Sequence, residues 1–135
     1  EKDWNHYPSE TEAKVGLIQL QKYDDAIKKR VANAKVYIEK FGSNDDVNIL
    51  PLTDGATYSH CVALVEDREQ WVTQFRKKKI QLGVLIEYAI PDMPAYREYR
   101  RGDYPVSQYY SKHAINFPNW PGVDRFKEIS KLSSV

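Results

Sequence analysis

The sequence predicts an α+β protein in which a long N-terminal helix precedes a small, mostly antiparallel sheet with helices on one face. The first observation is an apolar spacing that alternates between four and three residues from position 13 to position 41. The second is a series of short apolar segments, bounded by turn residues, in the remainder of the chain. A length of 135 residues and a hydrophobic share of 41% suit one domain with a modest core.

The first helix is predicted to begin at Glu10, because Ser9 and Glu12 form a capping box. In that motif the serine hydroxyl accepts an N–H of the first turn, and the glutamate returns to the backbone of the serine. The predicted apolar face comprises Ala13, Leu17, Leu20, Asp24, Ile27, Val31, Ala34, Ile38 and Phe41. Asp24 is its charged member, and the turn residues 42–44 end the helix.

This helix is too long for a compact chain of this size. Unbroken, it would measure about 48 Å at ~1.5 Å per residue, whereas the radius of gyration of such a chain is about 14 Å. We therefore expect the helix to break near Tyr23 to Asp25 and also to pack on something outside this chain.

Two strands, at 47–52 and 58–65, are predicted next and are expected to pair. Asp67 is the predicted N-cap of a helix that ends in the basic run 76–79, which complements the negative end of the helix dipole. The residues that this helix turns inward are predicted to be Trp71, Val72 and Phe75. A third strand is predicted at 80–88.

Prolines mark the boundaries in the last third of the chain. Pro91 and Pro94 break it, and Pro105 is predicted to occupy the first turn of a short helix that runs to Lys112. A last helix is predicted from Val123 to Leu132.

Composition limits the classes of partner. Lys and Arg total 20 against 19 Asp and Glu, so the net charge of +1 gives no global reason to expect a nucleic acid or an anionic membrane. The sequence contains no apolar run near the ~18 residues of a membrane span. The single cysteine, Cys61, cannot form an internal disulfide, which suits a reducing cytoplasm. We therefore expect a cytoplasmic protein without nucleic-acid or membrane partners.

No metal site is predicted either. His60 and Cys61 are adjacent and would point to opposite faces of a strand, and no pair of His or Cys residues has the usual zinc spacing. His113 is expected to be a packed histidine, with a substrate contact as the alternative.

Several motifs resemble one enzyme family. Between residues 94 and 122 the chain reads, in order, Pro94-Ala95-Tyr96, then Gly102-Asp103-Tyr104-Pro105, then Ile115-Asn116-Phe117-Pro118-Asn119-Trp120-Pro121-Gly122. A further segment, 5–20, begins Asn5-His6-Tyr7-Pro8-Ser9. Together these segments resemble the C-terminal small domain of the DegT/DnrJ/StrS family of pyridoxal-phosphate-dependent sugar aminotransferases.

The resemblance implies a division of the chain and a parent enzyme. Residues 1–42 would be a helical segment that packs on a large N-terminal domain outside this chain, and residues 43–135 would be the small α+β domain of a fold-type I aminotransferase. The parent would be a homodimer that uses pyridoxal phosphate to move an amino group from an amino acid, glutamate by expectation, to a keto-sugar nucleotide. Surface-polysaccharide and secondary-metabolite pathways both remain open.

The same resemblance assigns no catalytic residue to this chain. In the family the Schiff-base lysine precedes a Gly-Glu-Gly-Gly stretch of the large domain, and no two of the six glycines here are adjacent. The chain alone is therefore expected to be inactive and not to bind the cofactor.

Binding residues are implied at two places. Asn5 matches an asparagine that reaches the cofactor phosphate of the neighbouring subunit, with a turn or cap role as the alternative. Tyr7 replaces the family's arginine and keeps one hydrogen-bond donor. Near the family's His-Tyr-Pro segment the expected substrate contacts are Glu87, Tyr88 and Asp92, and the alternative for the two acids is a solvated loop carboxylate.

Two other functions are weighed against this one. Tyrosines and arginines between 96 and 110 could stack on bases, but the near-neutral charge and the lack of an RNP- or KH-like motif favour a surface for a partner subunit or a sugar nucleotide. The main alternative is a stand-alone interaction module whose 13–41 helix face forms a coiled coil or docks on a partner helix. Gly16 and Asp24 interrupt that face and count against it.

Overall fold

The computed structural model describes residues 7–85 and 87–123. Its first helix, α1, spans Glu10–Leu20, and the second, α2, spans Tyr23–Phe41. The predicted capping box is confirmed: the Ser9 backbone N–H donates to the Glu12 carboxylate at 2.6 Å, and the Glu12 N–H donates to the Ser9 hydroxyl at 3.3 Å. The break falls at residues 21 and 22, directly ahead of the expected region.

The sheet has three antiparallel strands in the order β1-β2-β3. Their bounds are Val47–Ile49 for β1, Cys61–Val65 for β2 and Ala114–Phe117 for β3. The two strands expected to pair do so, although each is shorter than predicted. The fold class predicted from the sequence is confirmed.

The predicted strand at 80–88 is wrong. Among the described residues of that segment, a single bridge joins Gly83 to Asn116, with hydrogen bonds of 2.8 Å in both directions. Leu85, in the apolar centre of this segment, is largely exposed, so burial does not hold a longer ladder together. The third strand is β3, which overlaps the motif segment 115–122.

Two further helices complete the described fold. Helix α3 spans Arg68–Lys77, and its predicted cap is confirmed, because the Asp67 carboxylate accepts the Gln70 N–H at 2.8 Å. Helix α4 spans Pro105–His113, with proline in the first turn as predicted. Between them lie two 3₁₀ turns, Ile90–Asp92 and Pro94–Tyr99, where the prolines break the chain. The helix predicted from Val123 to Leu132 lies outside the described residues beyond its first position.

The core is built around aromatic rings. The Phe117 ring of β3 stacks on Tyr37 and Phe41 of α2, with centroid distances of 4.8 and 5.0 Å. Trp71 and Phe75 of α3 are buried in the same cluster, as predicted. These contacts place α2 and α3 on the face of the sheet that carries Phe117.

The predicted apolar face of the first forty residues has two different environments. The C-terminal part of α2 contributes buried Ala34, Tyr37 and Phe41 to the core. By contrast, α1 buries none of its residues, and Leu17 and Leu20 are 63% and 65% exposed. The expected packing of residues 1–42 on another domain stays a prediction.

None of the helices in the described ranges has the length and apolar character that a membrane span requires. The same ranges contain no cluster of three or more His, Cys, Asp or Glu side chains placed to hold a metal ion.

Candidate functional site

The two residues expected near a cofactor phosphate lie at the start of the chain. Asn5 is outside the described residues. Tyr7 is 87% exposed ahead of α1, so the described chain does not enclose its hydroxyl. Their predicted role is not tested by these contacts.

The three expected substrate contacts have different surroundings. Glu87 and Tyr88 are exposed in the segment before the first 3₁₀ turn. Asp92 is engaged within the protein: its Oδ1 lies 3.3 Å from a guanidinium nitrogen of Arg100, and both of its oxygens lie 3.0 Å from Gln108 Nε2. The structure therefore brings Asp92 into a polar network that ties the first 3₁₀ turn to α4, while its role toward a substrate stays a prediction.

Arg100 is the centre of that network. Its Nη2 pairs with Asp103 at 3.0 Å, and its Nε donates to the Gly102 carbonyl at 3.0 Å. Beside it, a hollow of about 440 Å³ is lined by Ile90, Pro91, Tyr96, Tyr99, Arg100 and Tyr104. The tyrosine- and arginine-rich segment 96–104 thus lines a concave surface. Its Arg100 is held in place by hydrogen bonds and ion pairs to Asp92, Gly102 and Asp103.

A second, more polar cavity was not foreseen from the sequence. It has a volume of about 480 Å³ and lies where Arg30 of α2, the segment 79–85 and the residues after β3 meet. Among the described residues that line it, the basic ones are Arg30, His60 and Lys79, and none carries a carboxylate.

Three side-chain atoms around this second cavity are buried and have no hydrogen-bond partner within the described residues: Arg30 Nε, Asn116 Oδ1 and Asn119 Oδ1. Such atoms are rare in folded proteins, because an unmet buried polar group costs about 1–3 kcal/mol. Asn116, a polar residue in the otherwise apolar β3, is the sequence signal that could have identified this site.

Two asparagine amides fix the walls of the cavity. Asn119 Nδ2 donates to the Tyr58 carbonyl at 2.8 Å, and Asn33 Nδ2 donates to the Trp120 carbonyl at 3.3 Å. These bonds hold the loop before β2 and the loop after β3 against α2. Asn119 and Trp120 are therefore held in place, although residues 118–120 form no helix or strand.

At the other end of β2, His113 lies against Tyr109, with ring centroids 4.1 Å apart. His113 Nδ1 is 2.8 Å from the Val65 carbonyl oxygen, so that nitrogen carries the proton. The Tyr109 hydroxyl donates to Glu66 at 3.1 Å, and this hydrogen bond raises the pKa of Tyr109. His113 is half-buried, as expected for a packed histidine.

The single cysteine provides no nucleophile. Cys61 is buried in the core, and desolvation raises the pKa of its thiol to about 12. The thiol is therefore protonated and unreactive at neutral pH.

The described residues do not fit a complete pyridoxal-phosphate site. That cofactor needs an enclosed lysine for the Schiff base and a carboxylate beside the pyridine nitrogen. Of the described residues that line the polar cavity, Lys79 is the lysine, but it is exposed, and none of these lining residues carries a carboxylate.

Comparison with known proteins identifies the family. Residues 5–130 match the DegT/DnrJ/EryC1/StrS aminotransferase family. No match was found among curated proteins.

Solved structures have the same fold. A DegT DnrJ EryC1 StrS aminotransferase from Brucella abortus matches with a TM-score of 0.82 and 20% identity, covering 99% of this chain and 39% of its own. The sugar aminotransferase CalS13 from Micromonospora echinospora matches with a TM-score of 0.82 and 17% identity. The match covers 99% of this chain and 37% of the CalS13 chain. DesV from S. venezuelae, solved in complex with a ketimine intermediate, matches with a TM-score of 0.83 and 15% identity. The match covers 96% of this chain and 38% of the DesV chain. The chain thus spans less than two fifths of the length of these structures.

Proposed function

Because the chain belongs to the DegT/DnrJ/EryC1/StrS aminotransferase family, we propose that it acts as the C-terminal small domain of a pyridoxal-phosphate-dependent sugar aminotransferase. One observation carries the proposal: 99% of this chain superposes on a family structure while covering only 39% of it. The remaining part of such an enzyme is large enough to hold the cofactor site that the described residues do not form.

The exposed face of α1 supports this division. Val15, Leu17, Ile18 and Leu20 are apolar and more than half exposed on a helix without buried residues. Burying a leucine side chain contributes about 1.5–3 kcal/mol, so a large domain that covers this face would be held firmly. Residues 1–42 would then link the two domains.

In the parent enzyme, the amino group would pass from an amino acid, with glutamate as the expected donor, to a keto-sugar nucleotide. The parent would work as a cytoplasmic homodimer. Asn5 and Tyr7 would approach the cofactor phosphate of the neighbouring subunit, and Glu87, Tyr88 and Asp92 would lie toward the sugar. No step of the reaction is assigned to a side chain of this chain.

The first test is the coding sequence upstream of Glu1. We expect a continuous reading frame that encodes a large domain with a Schiff-base lysine. The protein made from that frame should take up pyridoxal phosphate and transaminate a keto-sugar nucleotide, whereas the 135-residue chain should do neither. A start codon directly upstream, or an unrelated upstream sequence, would show that the proposal is wrong.

The exposure of α1 also favours a second candidate, a stand-alone interaction module that uses the 13–41 helix face. The break at residues 21 and 22 and the burial of Ala34, Tyr37 and Phe41 within the chain shorten the face available to a partner. Under this alternative, a partner helix would bind the isolated chain and no large domain would be encoded upstream.

A further inference from the structure

We propose that a polar network positions the chain segment 87–92 for substrate binding. The network is formed by four side chains, Asp92, Arg100, Asp103 and Gln108. It joins the first 3₁₀ turn, the residues that follow the second 3₁₀ turn, and α4. The inference rests on the proposed function, because that function directs Glu87 and Tyr88 of this segment toward the sugar.

The segment 87–92 begins at the surface. Glu87 and Tyr88 are both exposed, whereas Ala89 is only 5% exposed and anchors the middle of the segment in the protein. The turn that follows is short and is closed by the Asp92 N–H, which donates to the Ala89 carbonyl at 2.9 Å. Hydrogen-bond geometry is poorer in 3₁₀ turns than in α-helices. A second attachment is therefore required to fix the direction in which Glu87 and Tyr88 project.

Asp92 supplies this second attachment. Both of its carboxylate oxygens lie 3.0 Å from Gln108 Nε2, and its Oδ1 also lies 3.3 Å from Arg100 Nη1. An ionised carboxylate has about four acceptor positions, so most of those on Asp92 are used within the protein. We therefore assign Asp92 a positioning role, through Glu87 and Tyr88, instead of a contact with the substrate.

Arg100 is held firmly enough to act as the fixed point of the network. Its Nη2 donates to Asp103 at 3.0 Å, and its Nε donates to the Gly102 carbonyl at 3.0 Å. With the bond to Asp92, all three guanidinium nitrogens have a partner, and the planar guanidinium fixes the angles between them. An isolated surface ion pair contributes little to stability, whereas several charges in a network of fixed geometry contribute more.

The residue at position 108 has to be a donor without negative charge. Gln108 lies in α4, and its amide is the group that meets both oxygens of Asp92. Glutamate has the same shape, but it would place a second carboxylate about 3 Å from the first, where like charges repel. Gln108→Glu therefore opens the network with almost no change in side-chain volume.

The first test measures backbone order in the 135-residue chain by NMR relaxation. In the unsubstituted protein the amides of Tyr88, Ala89 and Asp92 should have order parameters near about 0.85, the value of rigid backbone. In Arg100→Met and in Gln108→Glu these values should fall below about 0.6. The amides of β2 should keep their values in both variants, which would show that the fold is retained.

Matched controls separate the network from general effects of charge. Arg101→Met removes the same charge from the next residue, which is exposed and lies outside the network. Gln19→Glu adds the same charge at an exposed position of α1. Both controls should leave the order of the segment 87–92 unchanged. Arg100→Lys keeps the charge but not the planar fork, so it should give an intermediate loss of order.

The second test uses the parent enzyme with its large domain. Arg100→Met should raise the KM for the keto-sugar nucleotide about 10-fold and change kcat less than about 2-fold, because it removes ground-state positioning. Asp92→Ala should have a similar effect. The double variant should raise KM no further than either single variant, because both substitutions open the same network. Arg101→Met should leave KM unchanged.

Three results would each overturn the inference. The first is an order parameter below about 0.6 for the segment 87–92 in the unsubstituted protein. The second is an equal effect of Arg101→Met and Arg100→Met on that order. The third is a KM in the double variant that equals the product of the two single effects, since Asp92 would then contact the substrate independently.

Failure of the proposed function has a different outcome. A parent enzyme that does not transaminate without any substitution would contradict that function, and the substrate side of this inference would be overturned with it. The NMR comparison of Arg100→Met with Arg101→Met does not depend on activity. It therefore decides separately whether the network orders the segment 87–92.

Discussion

The side-chain amide of Asn119 donates a 2.8 Å hydrogen bond to the backbone carbonyl of Tyr58, a residue 61 positions earlier in the chain. Tyr58 has a φ of 48°, a left-handed conformation that costs a non-glycine residue about 1–2 kcal/mol. The Tyr58 hydroxyl also accepts the Thr53 N–H at 2.5 Å. Asn119 therefore stabilises a strained residue that organises the loop before β2.

Replacing Asn119 with alanine should lower the free energy of unfolding by about 1–3 kcal/mol, because a buried carbonyl loses its donor. Urea denaturation measures the change. Asn48→Ala, at an exposed position of β1, is the matched control and should change stability by less than about 0.5 kcal/mol. Equal effects of the two substitutions would contradict a special role for the Asn119 bond.

Lys79 also has a left-handed conformation, with a φ of 60°. It follows α3 in a Schellman arrangement, in which the Lys79 N–H donates to the Arg76 carbonyl at 2.9 Å and the Ile80 N–H donates to the Phe75 carbonyl at 2.9 Å. Glycine is the usual residue at this place. Lys79→Gly should therefore raise the free energy of unfolding by about 0.5–1 kcal/mol, as measured by thermal and urea unfolding.

The control for this prediction is the preceding residue. Lys78 has a φ of −84°, which suits an L-amino acid, so Lys78→Gly should destabilise the protein. A loss of stability in Lys79→Gly would mean that the lysine side chain contributes more than its backbone strain costs.

The exposed apolar face of α1 should make the isolated chain self-associate. The double substitution Leu17→Gln and Leu20→Gln should lower the association constant, because it removes apolar area that a second copy would bury. Neither residue is buried, so the free energy of unfolding should change by less than about 0.5 kcal/mol.

Sedimentation velocity at several concentrations measures this effect. The control pair, Lys28→Gln and Lys29→Gln, lies on exposed positions of α2 and should not reduce association. Self-association that persists in the leucine variant would place the contact on another surface.

The stability of the first turn of α1 depends on pH through Glu12. Its pKa lies below the ordinary value of 4.5, chiefly because its carboxylate accepts the Ser9 backbone N–H. A carboxyl group with a lowered pKa stabilises the folded helix above its ordinary pKa, and this stabilisation disappears as the pH falls through the lowered value. The first turn of α1 should therefore fray in acid, at a pH below 4.5.

NMR amide shifts of residues 10–13 follow this transition. In Glu12→Gln the shift changes at the first turn should become smaller, because the carboxyl group that accepts the Ser9 N–H is gone and only Glu10 still ionises in that turn. A titration that is unchanged in this variant would assign the effect to another acid.

Cys61 should be unreactive in the folded protein. Its raised pKa, about 12, keeps the thiol protonated at pH 8, and its burial excludes reagents. Modification by a thiol reagent should be slow in native buffer and fast in denaturant. Rapid native-state labelling would contradict the buried position of the residue.

The raised pKa of the Cys61 thiol also predicts that the folded protein loses stability at alkaline pH. Above its ordinary pKa of 9.0 the unfolded chain releases the thiol proton, while the folded chain retains it up to about 12. Stability should therefore fall as the pH rises through this interval. Cys61→Ala should reduce that dependence, which urea denaturation at several pH values measures.

The sequence by itself determined the parts of the fold that depend on neighbours along the chain. The capping box of Ser9 and Glu12, the Asp67 cap and the proline at the start of α4 all follow from local hydrogen bonding and fixed backbone angles. Phe41 of α2 and Trp71 and Phe75 of α3, which enter the core, follow from helical spacing, whereas buried Tyr37 lies outside the predicted face. The ordered motifs, likewise, were sufficient to indicate the family that residues 5–130 match.

Only the tertiary structure decided which apolar segments are paired and which polar groups are left unpaired. The segments 80–88 and 114–117 are both apolar, but within the part of the chain that the structure describes only the second pairs along its length with β2. Arg30, Asn116 and Asn119 are far apart in the sequence and meet at one cavity. Pairing and burial depend on contacts between distant segments, and local propensity carries no information about which distant partner is present.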